Sequence, residues 1–229
     1  MALLPDPEEA GKALEDLRTE LLADPYFKGV PSMQPASGKT ARYFHAKDDV
    51  PEVRREVFRL LRSMAAKVQV VIRHKTALID FARRLLSSGE RLTAHDVYDD
   101  MVARLFRNLL HKADENRITF ARRGKRDRSS ALAEAIDRAR RNFERKWHRP
   151  SKRPTTIRSQ FASRCAGFQI IDYYLWALQR MFERHEDRYF EFLRPHYRLV
   201  IDLDDKRNHE HGEYYSDHNP LELRRIEAF

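Results

Sequence analysis

Residues 165–185 read CAGFQIIDYYLWALQRMFERH, the most apolar helix candidate in the chain. The large apolar side chains of this stretch recur at helical spacing, at Phe168, Ile171, Leu175, Leu178 and Phe182. Such spacing predicts a helix with one buried face. Because an α-helix rises about 1.5 Å per residue, this one would run roughly 30 Å, the width of a small domain. We therefore expect the rest of the fold to pack around it.

Two polar residues interrupt this apolar setting. Gln169 and Asp172 stand three residues apart, so they are neighbours on one helix face. An ionised carboxylate is costly to bury alone, and Asp172 therefore needs a charge partner, a proton, a metal or a water-filled cleft. It is either a metal-binding carboxylate or an ordinary aspartate that is solvated or paired with Arg180. Gln169 either orients that acid or a substrate phosphate, or it occupies an exposed helix position.

The composition is that of a folded protein. Charged residues make up 34% and apolar residues 41% of the 229 positions, which excludes a disordered tail. A single cysteine, Cys165, excludes an internal disulfide framework and agrees with a reducing cytoplasm. No stretch has the length of a membrane span, and the N-terminal segment does not have the order of a signal peptide. We expect a cytoplasmic protein without a membrane partner and leave its oligomeric state open.

The net charge of +9 is concentrated in one segment. Residues 117–158 hold 15 Lys and Arg against 4 Asp and Glu. The densest part is a loop after a predicted strand, with cations at Arg122, Arg123, Lys125, Arg126 and Arg128. The next helix continues the charge at Arg138, Arg141, Arg145 and Lys146, while its other side is apolar from Leu132 to Trp147. This pattern predicts contacts with the DNA or RNA backbone, although a solvated basic surface would have the same composition.

Strand and helix patterns alternate along the chain. Short strands are predicted at 42–46, 67–73, 117–121, 155–158 and 197–203. Helices are predicted at 7–23, from Pro51 with an Asp49–Glu52 capping box, at 77–86, from Thr93, within a basic loop and helix at 122–153, and at 165–185. A polar tail follows the strand within 197–229. We therefore predict a single α/β domain over 1–229 with a mixed sheet and flanking helices.

Other functional candidates are weaker. His45 is either a proton carrier at a strand end or a half-buried strand histidine. Histidines in the polar tail offer a transition metal little fixed framework. Phosphate-binding glycine loops, dinucleotide fingerprints and nucleophile elbows do not occur, so nucleotide-driven and serine-hydrolase chemistry are disfavoured.

Three groups of motifs resemble one family. They are FHAKDD with PEVRREVF over 44–58, ITFARRGKRDR over 118–128, and FQIIDYYLWALQR with EDRYFEFL over 168–193. The family they resemble is the prokaryotic domain of unknown function 3800, which is thought to adopt a ribonuclease-H-like fold. The resemblance extends from about Leu21 to Leu221, and its most specific element is the Gln-x-x-Asp motif, here Gln169 and Asp172.

The resemblance implies a divalent-metal-dependent phosphodiesterase that acts on nucleic acid. Asp172 would bind Mg²⁺ or Mn²⁺, with Gln169 and His45 as further site residues. Such chemistry uses several carboxylates, and family members supply others from an N-terminal Asp-Glu-Ser strand that this chain does not have. The resemblance therefore implies a ribonuclease-H-like sheet without its first strands. The alternatives are a catalytically incompetent nucleic-acid-binding or interaction protein of the same fold, and a truncated family member.

Overall fold

The computed structural model of the chain describes residues 1–36, 38–122, 128–161 and 165–226. The α-helices of this part are α1 (Pro7–Ala23), α2 (Pro51–Ser63), α3 (Lys75–Ser87), α4 (Ala94–Phe106), α5 (Ser129–Trp147), α6 (Ala166–Arg184), α7 (Arg188–Leu193) and α8 (Leu223–Ile226). Short 3-10 helices lie at Pro25–Phe27, Pro31–Met33 and Arg194–His196. The strands are β1 (Ala2–Leu3), β2 (Lys67–Ile72), β3 (Asn116–Ala121), β4 (Thr155–Gln160), β5 (Tyr197–Asp202) and β6 (Glu213–Tyr215).

The larger sheet has four strands in the order β1-β2-β5-β6. β1 is antiparallel to β2, and β6 is antiparallel to β5. The N–H of Leu203, just after β5, donates to the carbonyl of Ile72 at the end of β2, so these two strands end side by side and run parallel. The predicted α/β class with a mixed sheet is therefore confirmed.

The smaller sheet consists of β3 and β4. These strands are parallel, with Asn116 opposite Thr155 and Ala121 opposite Gln160. Parallel neighbours need a crossover connection, and α5 supplies it. α5, which carries much of the basic charge, therefore connects β3 to β4 and packs on α4.

The described chain groups into two compact units. The first contains 1–69, 161–199 and 216–229, and the second contains 70–160 and 200–215. The chain passes from one unit to the other four times, so neither unit is one continuous segment. The assignment of 1–229 to a single domain stays a prediction.

The buried face of α6 differs from the predicted one. Its buried residues are Ile170, Tyr173, Tyr174, Ala177, Leu178 and Met181. They follow the i, i+3, i+4, i+7 pattern of a broad apolar stripe. The predicted residues were spaced three or four apart and formed a narrower stripe on a different side of the helix. Of the predicted face only Leu178 is buried, and Leu175 is 43% exposed. The prediction was wrong because it left out Tyr173 and Tyr174, which are fully buried although each carries a hydroxyl group.

Two local predictions near the start of α2 are also wrong. Residues 42–46 form turns and irregular backbone, not a strand. The N-cap of α2 is Val50, and no side chain caps it, so Asp49 and Glu52 do not form a capping box. At the end of α5, Trp147 is 51% exposed, whereas it was predicted on the apolar side. Within the described residues, no helix is both long enough and apolar enough to cross a bilayer.

The register of α6 can be tested by truncating one side chain on each face. Ile170 is fully buried, so Ile170→Ala removes packed methyl groups and should lower the free energy of unfolding by about 2–5 kcal/mol. Leu175→Ala is the matched control and should cost less than about 1 kcal/mol. Chemical denaturation measures both values. Equal losses would contradict the observed face.

Candidate functional site

The two residues of the Gln-x-x-Asp motif bind backbone. Gln169 Oε1 accepts the N–H of Phe44, and Asp172 Oδ2 accepts the N–H of Ala46, both at 2.8 Å. The two acceptors lie about one helical turn apart on α6. The two donors are two positions apart in the chain, with His45 between them. α6 therefore binds alternate N–H groups of an irregular segment, as a neighbouring strand would do.

A second carboxylate, missed as a site residue from the sequence, completes this arrangement. Asp49 is 3% exposed and accepts hydrogen bonds from Thr40 Oγ1 at 2.6 Å, the His45 N–H at 2.8 Å and the Tyr173 hydroxyl at 2.5 Å. Burial raises the pKa of Asp49, although the three hydrogen bonds oppose the rise. We call Gln169, Asp172 and Asp49 the loop clamp, because together they bind residues 40–46.

His45 lies beside the clamp. Its Nδ1 is 3.6 Å from Asp48 Oδ2 and 3.9 Å from Asp172 Oδ2, which are both too long for hydrogen bonds. Asp48 instead accepts a 2.8 Å hydrogen bond from Lys39 Nζ, which lowers the pKa of the Asp48 carboxyl. The structure thus brings the predicted residues His45, Gln169 and Asp172 together.

This neighbourhood does not form a ligand set for a cation. Across 1–36, 38–122, 128–161 and 165–226, no three His, Cys, Asp or Glu side chains are grouped so that they would hold a metal ion. The exposed tail residues His209, His211 and His218 belong to no such group either. Asp172, the predicted ligand of Mg²⁺ or Mn²⁺, has a defined structural partner in the N–H of Ala46.

The clamp can be tested through stability. Ala46 is fully buried, so Asp172→Ala would leave its N–H without an acceptor and should cost about 1–3 kcal/mol of unfolding free energy. Asp172→Asn keeps a side-chain oxygen that can accept this bond, so it should retain most of the stability. Urea denaturation of the two variants checks the difference. Two variants as stable as the wild type would show that the clamp contributes nothing.

The second unit contains a basic cleft between α4 and α5. Its volume is about 550 Å³. The cleft is lined by Asp100, Ala103, Arg104, Arg107, Arg138, Asn142, Arg145 and Lys146. Four of the five cations are exposed, and the single acid is paired with Arg104 at 2.7 Å. We call this the basic cleft; it presents uncompensated positive charge to solvent.

The sequence predicted only part of this surface. Arg138, Arg145 and Lys146 were identified on the basic side of their helix. Arg104 and Arg107 were missed because they lie outside the charge-dense segment and enter the cleft only when α4 packs on α5. Their three-residue spacing, with Asp100 one turn earlier, was the available signal.

The predicted nucleic-acid-binding loop lies mostly outside the described residues, which do not include Arg123, Lys125 and Arg126. Arg122 is exposed just after β3, and its N–H donates to the carbonyl of Gln160 at 2.7 Å. Arg128 donates to both carboxylate oxygens of Asp99 at 2.8 Å, and both side chains are mostly buried. Arg128 therefore holds the start of α5 to α4, a role that the sequence did not predict.

A polar network follows β5 and was also missed. Asp202 is fully buried; its Oδ2 lies 2.9 Å from His74 Nε2, and its Oδ1 accepts the N–H groups of Asp204 and Asp205. The hydrogen bond with Asp202 raises the pKa of His74 and outweighs the effect of burial. Asp202 thus organises the turn that ends the strand.

Asp205 extends this network. Burial alone would raise its pKa, but hydrogen bonds from Arg207 and the Tyr215 hydroxyl outweigh burial and lower the pKa to about 2. The carboxylate is therefore ionised over the physiological range. Because its hydrogen-bond donors, Arg207 and Tyr215, belong to the protein itself, the carboxylate has a structural role.

No family model, curated protein or solved structure matches the chain. The resemblance to the domain of unknown function 3800 stays a prediction. Function therefore has to be inferred from the geometry of the loop clamp and the basic cleft.

Proposed function

We propose that the protein binds the sugar-phosphate backbone of nucleic acid through the basic cleft. The observation that carries this proposal is the convergence of five cationic side chains from two helices on one cleft of about 550 Å³. Asp100, the one acid among the described lining residues, is already paired with Arg104. A polyanion would supply the missing negative charge.

The state of these cations supports the proposal. Arg138 and Lys146 are exposed and form no ion pair with any residue in the described ranges. Such side chains give up no ion pair when they bind a phosphate. Their binding also releases counterions that are condensed on the nucleic acid. The segment with the greatest charge density, 122–128, precedes α5 in the chain.

The cleft favours backbone contacts over base reading. Arg and Lys side chains spread along two helices can follow a line of phosphates, whereas sequence-specific reading needs an element seated in a groove. The protein should therefore bind many sequences with similar affinity. This function is the binding alternative that the sequence left open.

Charge reversal in the cleft tests the proposal. The double variant Arg138→Glu/Arg145→Glu should bind a short DNA or RNA duplex at least about tenfold more weakly, because it replaces two attractive contacts by repulsive ones. The slope of log affinity against log salt should fall in magnitude by about 2. Fluorescence anisotropy over a salt series measures both quantities.

A matched control separates the cleft from overall charge. Arg83 and Arg91 are exposed in the same unit and do not line the cleft, so Arg83→Glu/Arg91→Glu changes the net charge equally. This variant should keep the wild-type slope to within about 0.5. The same loss in both double variants would contradict a specific role for the cleft.

A second candidate function rests on the loop clamp. If the chain is ribonuclease-H-like, it would hydrolyse phosphodiester bonds with Mg²⁺ or Mn²⁺ at Asp172. The supporting observation is that Asp172 is 37% exposed and that its carboxylate and that of Asp48 both lie within 4 Å of His45 Nδ1. The described residues do not form a three-ligand set, so they do not fit a metal site by themselves.

Asp172→Asn distinguishes this candidate from a purely structural clamp. The variant should stay folded, yet a metal-dependent nuclease would lose cleavage of labelled DNA and RNA while retaining binding. The measurement is gel-resolved cleavage with Mn²⁺ or Mg²⁺ and with EDTA. Absence of cleavage by the wild-type protein under all conditions would leave backbone binding as the function.

A further inference from the structure

A second cavity lies next to the basic cleft and has a different character. Its volume is about 230 Å³, and it is lined by Asn108, His111, Lys112, Phe143, Trp147 and Arg149. His111 stacks on Phe143 with ring centres 4.1 Å apart and planes inclined by 15°. Trp147 is 51% exposed. The cavity therefore combines flat rings with cations, and we call it the aromatic pocket.

The aromatic pocket and the basic cleft are adjacent through consecutive residues of α5. Lys146 lines the cleft, Trp147 lines the pocket, and Lys146 Nζ lies 5.1 Å from the centre of the Trp147 ring. A phosphate held by Lys146 would therefore place its nucleotide beside the indole. The arrangement of a cation beside an exposed ring is the one that binds one nucleotide by both its charge and its base.

Two residues that line the pocket each carry a polar atom without a partner in the described part of the chain. Asn108 Oδ1 and His111 Nδ1 are buried and have no hydrogen-bond partner among the residues that the structure describes. Burial, with Lys112 and Arg149 nearby, lowers the pKa of His111, so its ring is neutral near pH 7. A neutral ring with an unpaired nitrogen suits the edge of an uncharged base.

We propose that the aromatic pocket takes one unpaired base, stacked against Trp147, and that the nucleic acid bound in the basic cleft is consequently a single strand. This inference rests on the proposed function. Bases within a duplex are paired and stacked on their neighbours, so a duplex could reach the pocket only by unstacking a base. A single strand presents its bases without that cost.

The test compares Trp147→Ala with wild-type protein on two probes, a labelled oligothymidine and a blunt duplex of the same length. The variant should bind oligothymidine about tenfold more weakly, because it loses one base–ring stack. Its affinity for the duplex should change by less than about twofold, because the cleft cations are intact. Phe192→Ala removes another exposed ring, which lies outside the second unit, and should change neither affinity.

Trp147→Phe supplies a direct readout of stacking. The chain has two tryptophans, so this variant leaves only Trp176 as an emitter. Oligothymidine should quench the emission of wild-type protein, and most of that quenching should disappear in Trp147→Phe while most of the affinity remains. Thermal unfolding should be unchanged, since the side chain is half exposed.

Two kinds of failure can be told apart. If Trp147→Ala weakens both probes equally, or neither, the inference about an unpaired base is overturned while backbone binding in the cleft stands. If the Arg138→Glu/Arg145→Glu variant binds both probes as tightly as the wild type, the cleft is not the interface and both proposals fail.

Discussion

Buried backbone that lies outside regular secondary structure must still find hydrogen-bond partners, and this requirement governs the first unit. Residues 40–46 run against the most apolar helix of the chain without forming a ladder with any strand. Gln169 and Asp172 supply the missing acceptors, and Asp49 accepts the N–H of His45 between them. Two polar residues in the apolar first half of α6 are thus explained by the backbone N–H groups that they accept.

The same geometry bears on the second function that is proposed for Asp172. One oxygen of the carboxylate accepts the N–H of Ala46, yet the side chain is still 37% exposed and lies close to an imidazole. An acid that orders a loop can also act in a site formed by that loop. Substitution by alanine removes both the acceptor of the Ala46 N–H and the charge, whereas substitution by asparagine removes the charge and keeps an acceptor.

Local sequence patterns predicted the elements of this fold better than the contacts between them. β2 and α1 lie where β-branched residues and capping residues indicate, because those signals depend on near neighbours. The strand at 42–46 was wrong because acceptors on α6, over 120 residues away, replace a partner strand. Asp49 was taken for a cap for a related reason, since nothing near it in sequence indicates Tyr173 as its partner.

The basic cleft illustrates the same limit. The charge of α5 was evident from its arginines, but the cleft also depends on Arg104 and Arg107, which α4 contributes through packing. Arg128, within the densest run of charge, is held by Asp99 instead. A count of charges therefore identifies a basic region without showing which cations are available to a ligand.

The path of the chain through the two units bears on how the protein folds. Contacts of the first unit join Ala46 to Asp172 and Ala66 to His196, and the second unit is completed only by 200–215. Such distant pairings lengthen the loops that must close, which slows folding compared with a domain built from local contacts. Neither unit can complete its contacts before residues 200–216 have been synthesised, so the apolar side chains that α2 and β2 bury stay exposed longer than those of a domain built from local contacts.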